Sequence, residues 1–513
     1  MIPAANSTVS VGSTEQWHDR KRYLWLIGLV VPSLAFVGWG MWALTGWGVW
    51  FWIGPIVILV IVPAIDLIAG LDRSNPPDDV IEALENDKYY RWITYLFLPI
   101  QYVGFVGAMW LIAAGGELGA WDKLGLAISI GCIGGIGINT AHELGHKKEA
   151  NERWLSKIAL AQSFYGHFYI EHNRGHHVRV ATPEDPASAR MGENFYQFWP
   201  RTVAGSLRSA WNLEKKRIAR RKQHPWRLSN DVLNAWLMSA VLWGAMIVLF
   251  GLGITPYLLI QAVVGFSLLE VVNYMEHYGM LRQKVGVGER ERYERVDPSH
   301  SWNSNNIATN VLLYHLQRHS DHHANPTRRY QSLRDYQESP VLPTGYAGMI
   351  VLAIVPSVWR RVMDPRVLRH FDGDLTRANL SPRKRDRILA RAAASEKPAG
   401  LGRRVGRAAP YGETGVAAAA AKPLDVLSGS PEPTSAESVG VGPIATPTDS
   451  PADEALTWRC PGCGYTYDVV TGEEREGFAA GTAWSRIPQT WCCPDCGVRD
   501  KVDFVAVESA VVD

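Results

Sequence analysis

Residues 124–148 read LGLAISIGCIGGIGINTAHELGHKK. From Leu124 to Ala141 the stretch is uncharged and apolar, and it is long enough to cross a bilayer as a helix. It then stops in His142-Glu143-Leu144-Gly145-His146 and two lysines. His142 and His146 are four residues apart, so a helix continuing one more turn stacks both imidazoles on one face. A span that delivers paired metal-binding side chains to a basic margin selects a helical membrane fold with its chemistry at one end of the bundle.

Five further runs share this character: 23–44, 47–65, 92–114, 232–252 and 254–269. Pro32, Pro55 and Pro63 interrupt the first two, which membrane helices tolerate. The short connections at 45–46, 115–123 and 253 carry almost no Lys or Arg. The opposite ones carry Arg20, Lys21 and Arg22, then Arg73, Lys88 and Arg91, then a dense set from Lys147 to Arg227. The positive-inside rule places the basic side, and with it both termini, in the cytoplasm. Several of the 21 tryptophans lie near the ends of the runs, where interfacial rings belong. A net charge of +2 on 513 residues leaves no footprint for nucleic acid, and the polar first twenty residues show no cleavable leader. The expected fold is mostly α: six transmembrane helices with a cytoplasmic helical cap.

Most of the fifteen histidines fall at the cytoplasmic ends of these spans or in the loops beside them. His142 and His146 end the fourth span, His172, His176 and His177 form HNRGHH, His277 closes NYMEHYG after the sixth span, and His319, His322 and His323 lie in LQRHSDHH. On a helix the last three share a face. Nine imidazoles exceed the needs of one metal, so two metals are implied. HELGH also fits the HExxH helix of zinc proteases, with Glu143 as general base. That reading leaves at least six histidines unused. A non-enzymatic metal-binding or transport protein is a further alternative, but Asp66 and Glu270 lie only near the cytoplasmic ends of spans.

Past residue 396 the composition changes to Ala, Gly, Pro, Ser and Thr without apolar periodicity, which reads as a flexible linker over 396–456. The remaining 457–513 is too short for a large core and needs a staple. Two CxxC pairs, Cys460/Cys463 and Cys493/Cys496, supply a metal site, while Cys492 and Cys132 stand outside the pattern.

The spacing HxxxH, HxxxHH, HxxHH resembles the membrane fatty-acid desaturase and hydroxylase superfamily, whose members are di-iron enzymes. NYMEHYG and LQRHSDHH, with the stretch EHNRGHHVRVATPEDPASAR at 171–190, resemble the membrane alkane 1-monooxygenases within it. That resemblance implies a di-iron site held by His142, His146, His172, His176, His177, His277, His319, His322 and His323. His315, one turn before His319, is outside the implied ligand set. The implied reaction is O2-dependent hydroxylation of the terminal carbon of an n-alkane to a primary alcohol. A strong C–H bond without a polar handle needs a redox metal, which zinc is not. Glu143, Asp185, Glu276 and Asp321 are candidates to orient the ligand rings by hydrogen bonds from behind, and Glu171 lies beside them. The glycine-rich 131–137 allows close helix approach, and Trp39, Trp42, Trp50 and Trp52 are candidates to limit alkane length.

The two CPxCG knuckles, 29 residues apart, with Tyr465, Tyr467, Trp491 and Phe504, resemble rubredoxin. This implies one iron in the thiolates of Cys460, Cys463, Cys493 and Cys496, reduced by a separate NAD(P)H-dependent rubredoxin reductase. The expected organisation is a cytoplasmic segment 1–22, a membrane di-iron domain 23–395, the linker, and a small iron-stapled domain with short β-strands, in a bacterial inner membrane. A seventh apolar run, 341–359, must then be re-entrant or interfacial, because a crossing would part the carrier from its cytoplasmic reductase. A lipid desaturase or hydroxylase of the same superfamily is the remaining alternative.

Overall fold

The computed structural model describes residues 17–396 apart from 287, 289 and 290, and residues 457–507 apart from 462, 490 and 498. The expected linker, beyond its first residue, and the first sixteen residues lie outside the described residues.

The chain forms four long helices, α1 (Leu24–Thr45), α2 (Gly48–Ala69), α3 (Lys88–Ala114) and α4 (Ala120–Gly145). Two helices outside the spans follow, α5 (Ala150–Ala161) and α6 (Phe195–Arg220). The last two long apolar helices are α7 (Asp231–Phe250) and α8 (Leu252–Glu276). Six of these are long and apolar enough to cross a membrane, and they coincide with the six apolar runs. Their ends differ where polar residues continue the helix. The Asp87 carboxylate accepts from the Tyr89 amide at 2.9 Å and caps α3 before the apolar run begins. The helices α4 and α8 run on through HELG and NYME, because protein rather than lipid buries those polar turns. Gly46, at φ +72°, closes α1 with its amide on the Trp42 carbonyl at 2.7 Å.

The helix α4 is the axis of the bundle. In its most apolar window 89% of the residues are buried, against 22% for α7. It lies against α8 through glycines: a β-carbon on Gly135 would stand 2.9 Å from the Gly265 carbonyl oxygen. That close approach accounts for the glycine-rich run.

The short helix α9 (His319–Ala324) follows, and the seventh apolar run breaks into α10 (Tyr346–Ile354) and the start of α11 (Pro356–His370). Nine residues are too few to span a bilayer, and Pro356 ends the first piece. Trp359 of α11 packs on Tyr274 in the last turn of α8 and on Tyr278 just beyond it, and Met363 and Val367 are buried in the same cluster.

The C-terminal unit is a three-stranded antiparallel sheet in the order β2-β1-β3, with β1 (Thr457–Arg459), β2 (Thr466–Asp468) and β3 (Val505–Val507). Trp458, Tyr467, Phe478, Trp484, Trp491 and Phe504 form its core beside the cysteines. It sits on the histidine end of the bundle. Arg220 of α6 donates to the Glu476 carbonyl at 2.7 Å and to its carboxylate at 2.8 Å, and Arg217 to the Arg475 carbonyl at 3.0 Å. Arg221 pairs with Glu474, Arg295 with Asp503, and Lys148 donates to the Cys463 carbonyl.

Candidate metal centre

The nine histidines divide into two groups. His142, His146, His172, His177 and His322 form one, and His176, His277, His319 and His323 the other; ligand atoms within each lie within 4.8 Å of one another. Local geometry decides the split. His172–His176 is a π-helical turn, which carries His172 and His177 to the five-histidine group while His176 faces the other. Within α9 the i, i+4 pair His319 and His323 serves the four-histidine group, and His322 crosses to the five-histidine group. The single face expected for these three residues is thus divided between both groups, since successive side chains on a helix turn about 100° apart.

The donor atoms fit cations. Nε2 of His322 is 2.9 Å from that of His142 and 3.1 Å from that of His177, which is 3.1 Å from that of His172. In the other group the His319 Nε2 is 2.9 Å from that of His323 and 3.2 Å from that of His277. Nitrogens bound to a common ion at roughly 2.1 Å stand about 3.0–3.4 Å apart. Nε2 of His146 and of His176 is buried without a hydrogen-bond partner. Burial, reinforced by neighbouring imidazoles, holds His146, His172, His177, His319, His322 and His323 well below the usual histidine range. Burial, with His176 adding, holds His277 at about 3. These rings are neutral, the form that binds metal.

The acidic residues separate by what they touch. Asp185 holds the His176 Nδ1 at 2.9 Å and accepts from Ser188 Oγ at 2.6 Å and the Ala187 amide at 3.1 Å. Burial alone would raise its carboxyl; the adjoining His176 ring and the hydrogen bonds from His176 and Ser188 outweigh burial and hold it well below the usual carboxylate range. Glu276 Oε2 lies 3.2 Å from the His319 Nε2, and its other oxygen is buried without a partner. Glu143 turns to Lys147 at 2.9 Å and to the Tyr330 amide at 3.2 Å. Asp321 accepts from Arg328, Asn325 and the Arg334 amide. Both act on the surrounding loop rather than on a ligand ring. Glu171 pairs with Arg179 at 2.8 Å, although burial pushes its carboxyl up to about 8. His315 is in neither group; its ring bridges the Tyr330 carbonyl at 2.9 Å and Lys21 Nζ at 3.0 Å.

An apolar cavity borders both groups. Val31, Val57, Ile58 and Val62 from α1 and α2, Leu268 and Val272 from α8, and Ile350 from α10 form its apolar walls. His142 and His172 of one group, and His319 with Glu276 of the other, line the same space. Trp39, Trp42, Trp50 and Trp52 do not border it; Trp52 packs on Trp121 and Trp42 on Phe51.

The sulfurs of Cys460, Cys463, Cys493 and Cys496 converge, with Cys460–Cys496 at 3.9 Å and Cys463–Cys493 at 3.5 Å. Tetrahedral thiolates on bonds of about 2.3 Å are roughly 3.8 Å apart, so this site also fits one ion. Sequence reasoning missed the face that receives this unit. Arg174, Arg217 and Arg220 surround the Glu476 carboxylate. The signal for Arg217 and Arg220 lies in the basic run 215–222, which the positive-inside rule assigns to orientation in the membrane.

The family described as Fatty acid desaturase matches residues 120–353, and the family described as Rubredoxin matches residues 457–504. The alkane 1-monooxygenase of Acinetobacter baylyi is 49% identical over 379 residues, covering 73% of this chain and 91% of that protein. Alkane 1-monooxygenase 1 of Alcanivorax borkumensis is 45% identical over 379 residues, covering 74% and 92%. A more distant relative, the xylene/toluene monooxygenase hydroxylase component XylM of Pseudomonas putida, is 25% identical over 286 residues, covering 54% and 74%.

Proposed function

The chain belongs to the alkane 1-monooxygenase family, and from that premise we propose that it hydroxylates the terminal carbon of n-alkanes at two histidine-held irons, with electrons from its own rubredoxin unit. The balance is alkane + O2 + 2 electrons + 2 protons giving primary alcohol + water. The observation that carries this reading is the shared cavity: one apolar space touches His142 and His172 from one group and His319 and Glu276 from the other. A substrate with no polar handle is held there by shape and apolar contact, with its end facing both groups.

His142, His146, His172, His177 and His322 would hold one iron, and His176, His277, His319 and His323 the other. Bound iron supplies the one-electron chemistry that O2 activation requires. Asp185 keeps the proton of His176 on Nδ1, which leaves Nε2 free for metal. Glu276 places a carboxylate against the cavity beside His319. The walls from Leu268, Val272 and Ile350 exclude water from the reacting carbon. Cys460, Cys463, Cys493 and Cys496 would hold the third iron. A separate NAD(P)H-dependent rubredoxin reductase would reduce it, with both termini and the histidine end facing the cytoplasm of a bacterial inner membrane. The expected domain limits, 23–395 for the membrane part and 457–513 for the carrier, belong to this reading.

The test is turnover in membranes with reductase, NAD(P)H, 18O2 and a series of alkanes and fatty-acyl substrates. Labelled 1-alkanols support the reading; desaturated lipids, or unlabelled products, contradict it. Metal analysis of the purified chain adds a second check, with iron at the histidines expected and zinc there against it.

A further inference from the structure

The cysteine unit has two equivalent turns, Cys460–Gly464 and Cys493–Gly497, and they meet the helical domain differently. Both glycines are left-handed, Gly464 at φ +73° and Gly497 at φ +65°. Among the described residues, a β-carbon on Gly464 would meet only the Arg459 side chain, at 3.5 Å. A β-carbon on Gly497 would stand 2.7 Å from the Asn173 carbonyl oxygen and 3.5 Å from the His177 β-carbon. The second turn therefore lies with its bare backbone on the π-helical turn that carries His172 and His176 and leads directly into His177.

That landing place is firm. The Asn173 side chain donates to the Tyr169 carbonyl at 2.8 Å and reaches the Gly145 carbonyl, at the end of α4, at 3.4 Å. His177 belongs to the five-histidine group, where its Nε2 is 3.1 Å from both the His172 and His322 Nε2 atoms. One imidazole ring thus separates the backbone of the second cysteine turn from the five-histidine group. A second glycine, Gly477 at φ +88°, lies equally close to α6, since its β-carbon would be 2.7 Å from Arg220 Cβ. The ion pairs of Glu476 with Arg220 and Arg174 surround the contact.

We propose that the Cys493–Gly497 turn is the electron exit of the carrier, and that Asn173 and His177 form the receiving surface, so that electrons reach the five-histidine metal first. The inference rests on the reading that the cysteine unit supplies the electrons. In each transfer the cysteine-held iron goes from ferrous to ferric and the histidine-held iron from ferric to ferrous. Two transfers accompany each alcohol formed, and the reductase returns the carrier to the ferrous state each time. The glycine at position 497 is what permits the approach: any side chain there holds the two backbones apart.

The experiment uses the full chain and the matched pair Gly497→Ala and Gly464→Ala. Both impose the same left-handed strain on a cysteine turn, and only the first places a methyl group against Asn173. Reoxidation of the reduced carrier by O2 plus alkane is followed through the visible absorption of the ferric tetrathiolate, normalised to its iron. Hydrogen exchange of peptides covering 172–180 and 491–500 reports the contact without reference to turnover. The expected result is a tenfold or greater slowing and faster exchange in both peptides for G497A, relative to G464A. Equal slowing by both substitutions, or wild-type transfer and exchange in G497A, overturns the assignment. Failure of the wild-type carrier to be reoxidised, although an external rubredoxin supports hydroxylation, instead refutes the underlying reading of electron supply and the exit with it.

Discussion

Replacing Asp185 by Asn should remove metal from the four-histidine group while sparing the other sites. Asp185 is 1% exposed, and its carboxylate accepts three hydrogen bonds, from His176 Nδ1, Ser188 Oγ and the Ala187 amide. An amide has one acceptor oxygen and one donor nitrogen, so it cannot reproduce the set. If its nitrogen faces His176, donor opposes donor and the ring is driven to the tautomer protonated on Nε2, the atom that faces the metal. If its nitrogen faces Ala187, that buried amide loses its acceptor. Either arrangement leaves one buried donor unmatched, at about 1–3 kcal/mol. Converted at about 1.4 kcal/mol per decade, this is roughly a 5- to 150-fold loss of affinity, and it bears on the group containing His176. The assay is chelator competition with iron counted per chain, the cysteine-held iron serving as internal reference by its absorbance. The expected outcome is an early loss of one of the two histidine-held irons and a shifted release midpoint. An unshifted midpoint, or equal loss from both groups, would falsify the role given to Asp185.

Three further outcomes follow from the same geometry. Leu268 lies two helical turns, about 12 Å along α8, from Glu276 and lines the cavity, so Leu268→Trp should depress turnover of long alkanes far more than short ones, as measured by product ratios in mixed-substrate assays. A uniform loss would show that the residue does not border the substrate's path. Glu476→Gln removes the anion from among Arg174, Arg217 and Arg220; at about 2 kcal/mol it should lower the docking equilibrium constant roughly thirtyfold and flatten the salt dependence of carrier reoxidation. Unchanged salt dependence would place the docking energy elsewhere. The metal-free protein should lose stability as pH falls below about 6.5, because the unfolded chain then binds protons that His277 and its buried neighbours refuse when folded. Each such ring contributes up to about 1.4 kcal/mol per pH unit, down to about 3 for His277. A thermal midpoint flat from pH 7.5 to 5.5 would contradict that burial.

The sequence by itself determined the spans, the residues able to hold metal, and the two-part composition of the chain. Each of these is a local property. Hydropathy over about twenty residues marks a membrane helix wherever it packs, and a CPxCG turn sets its own sulfurs. Helix ends were less legible, since α4 and α8 continue through polar turns that only surrounding protein makes burial-compatible. The partition of histidines was not legible at all. His176 and His177 are adjacent in sequence yet serve different groups, and His322 and His323 do the same. The seat of the cysteine unit was equally hidden, because the contact of Gly497 with Asn173 joins backbones more than 300 residues apart. In HELGHKK, His142 and His146 fall to one group as their spacing suggests, but their three partners are His172 of the π-helical turn, His177 directly after it, and His322 of α9. Periodicity fixes which side chains share a face of one helix. Which metal that face serves depends on how the helices cross, and only the packing of the whole bundle decides it.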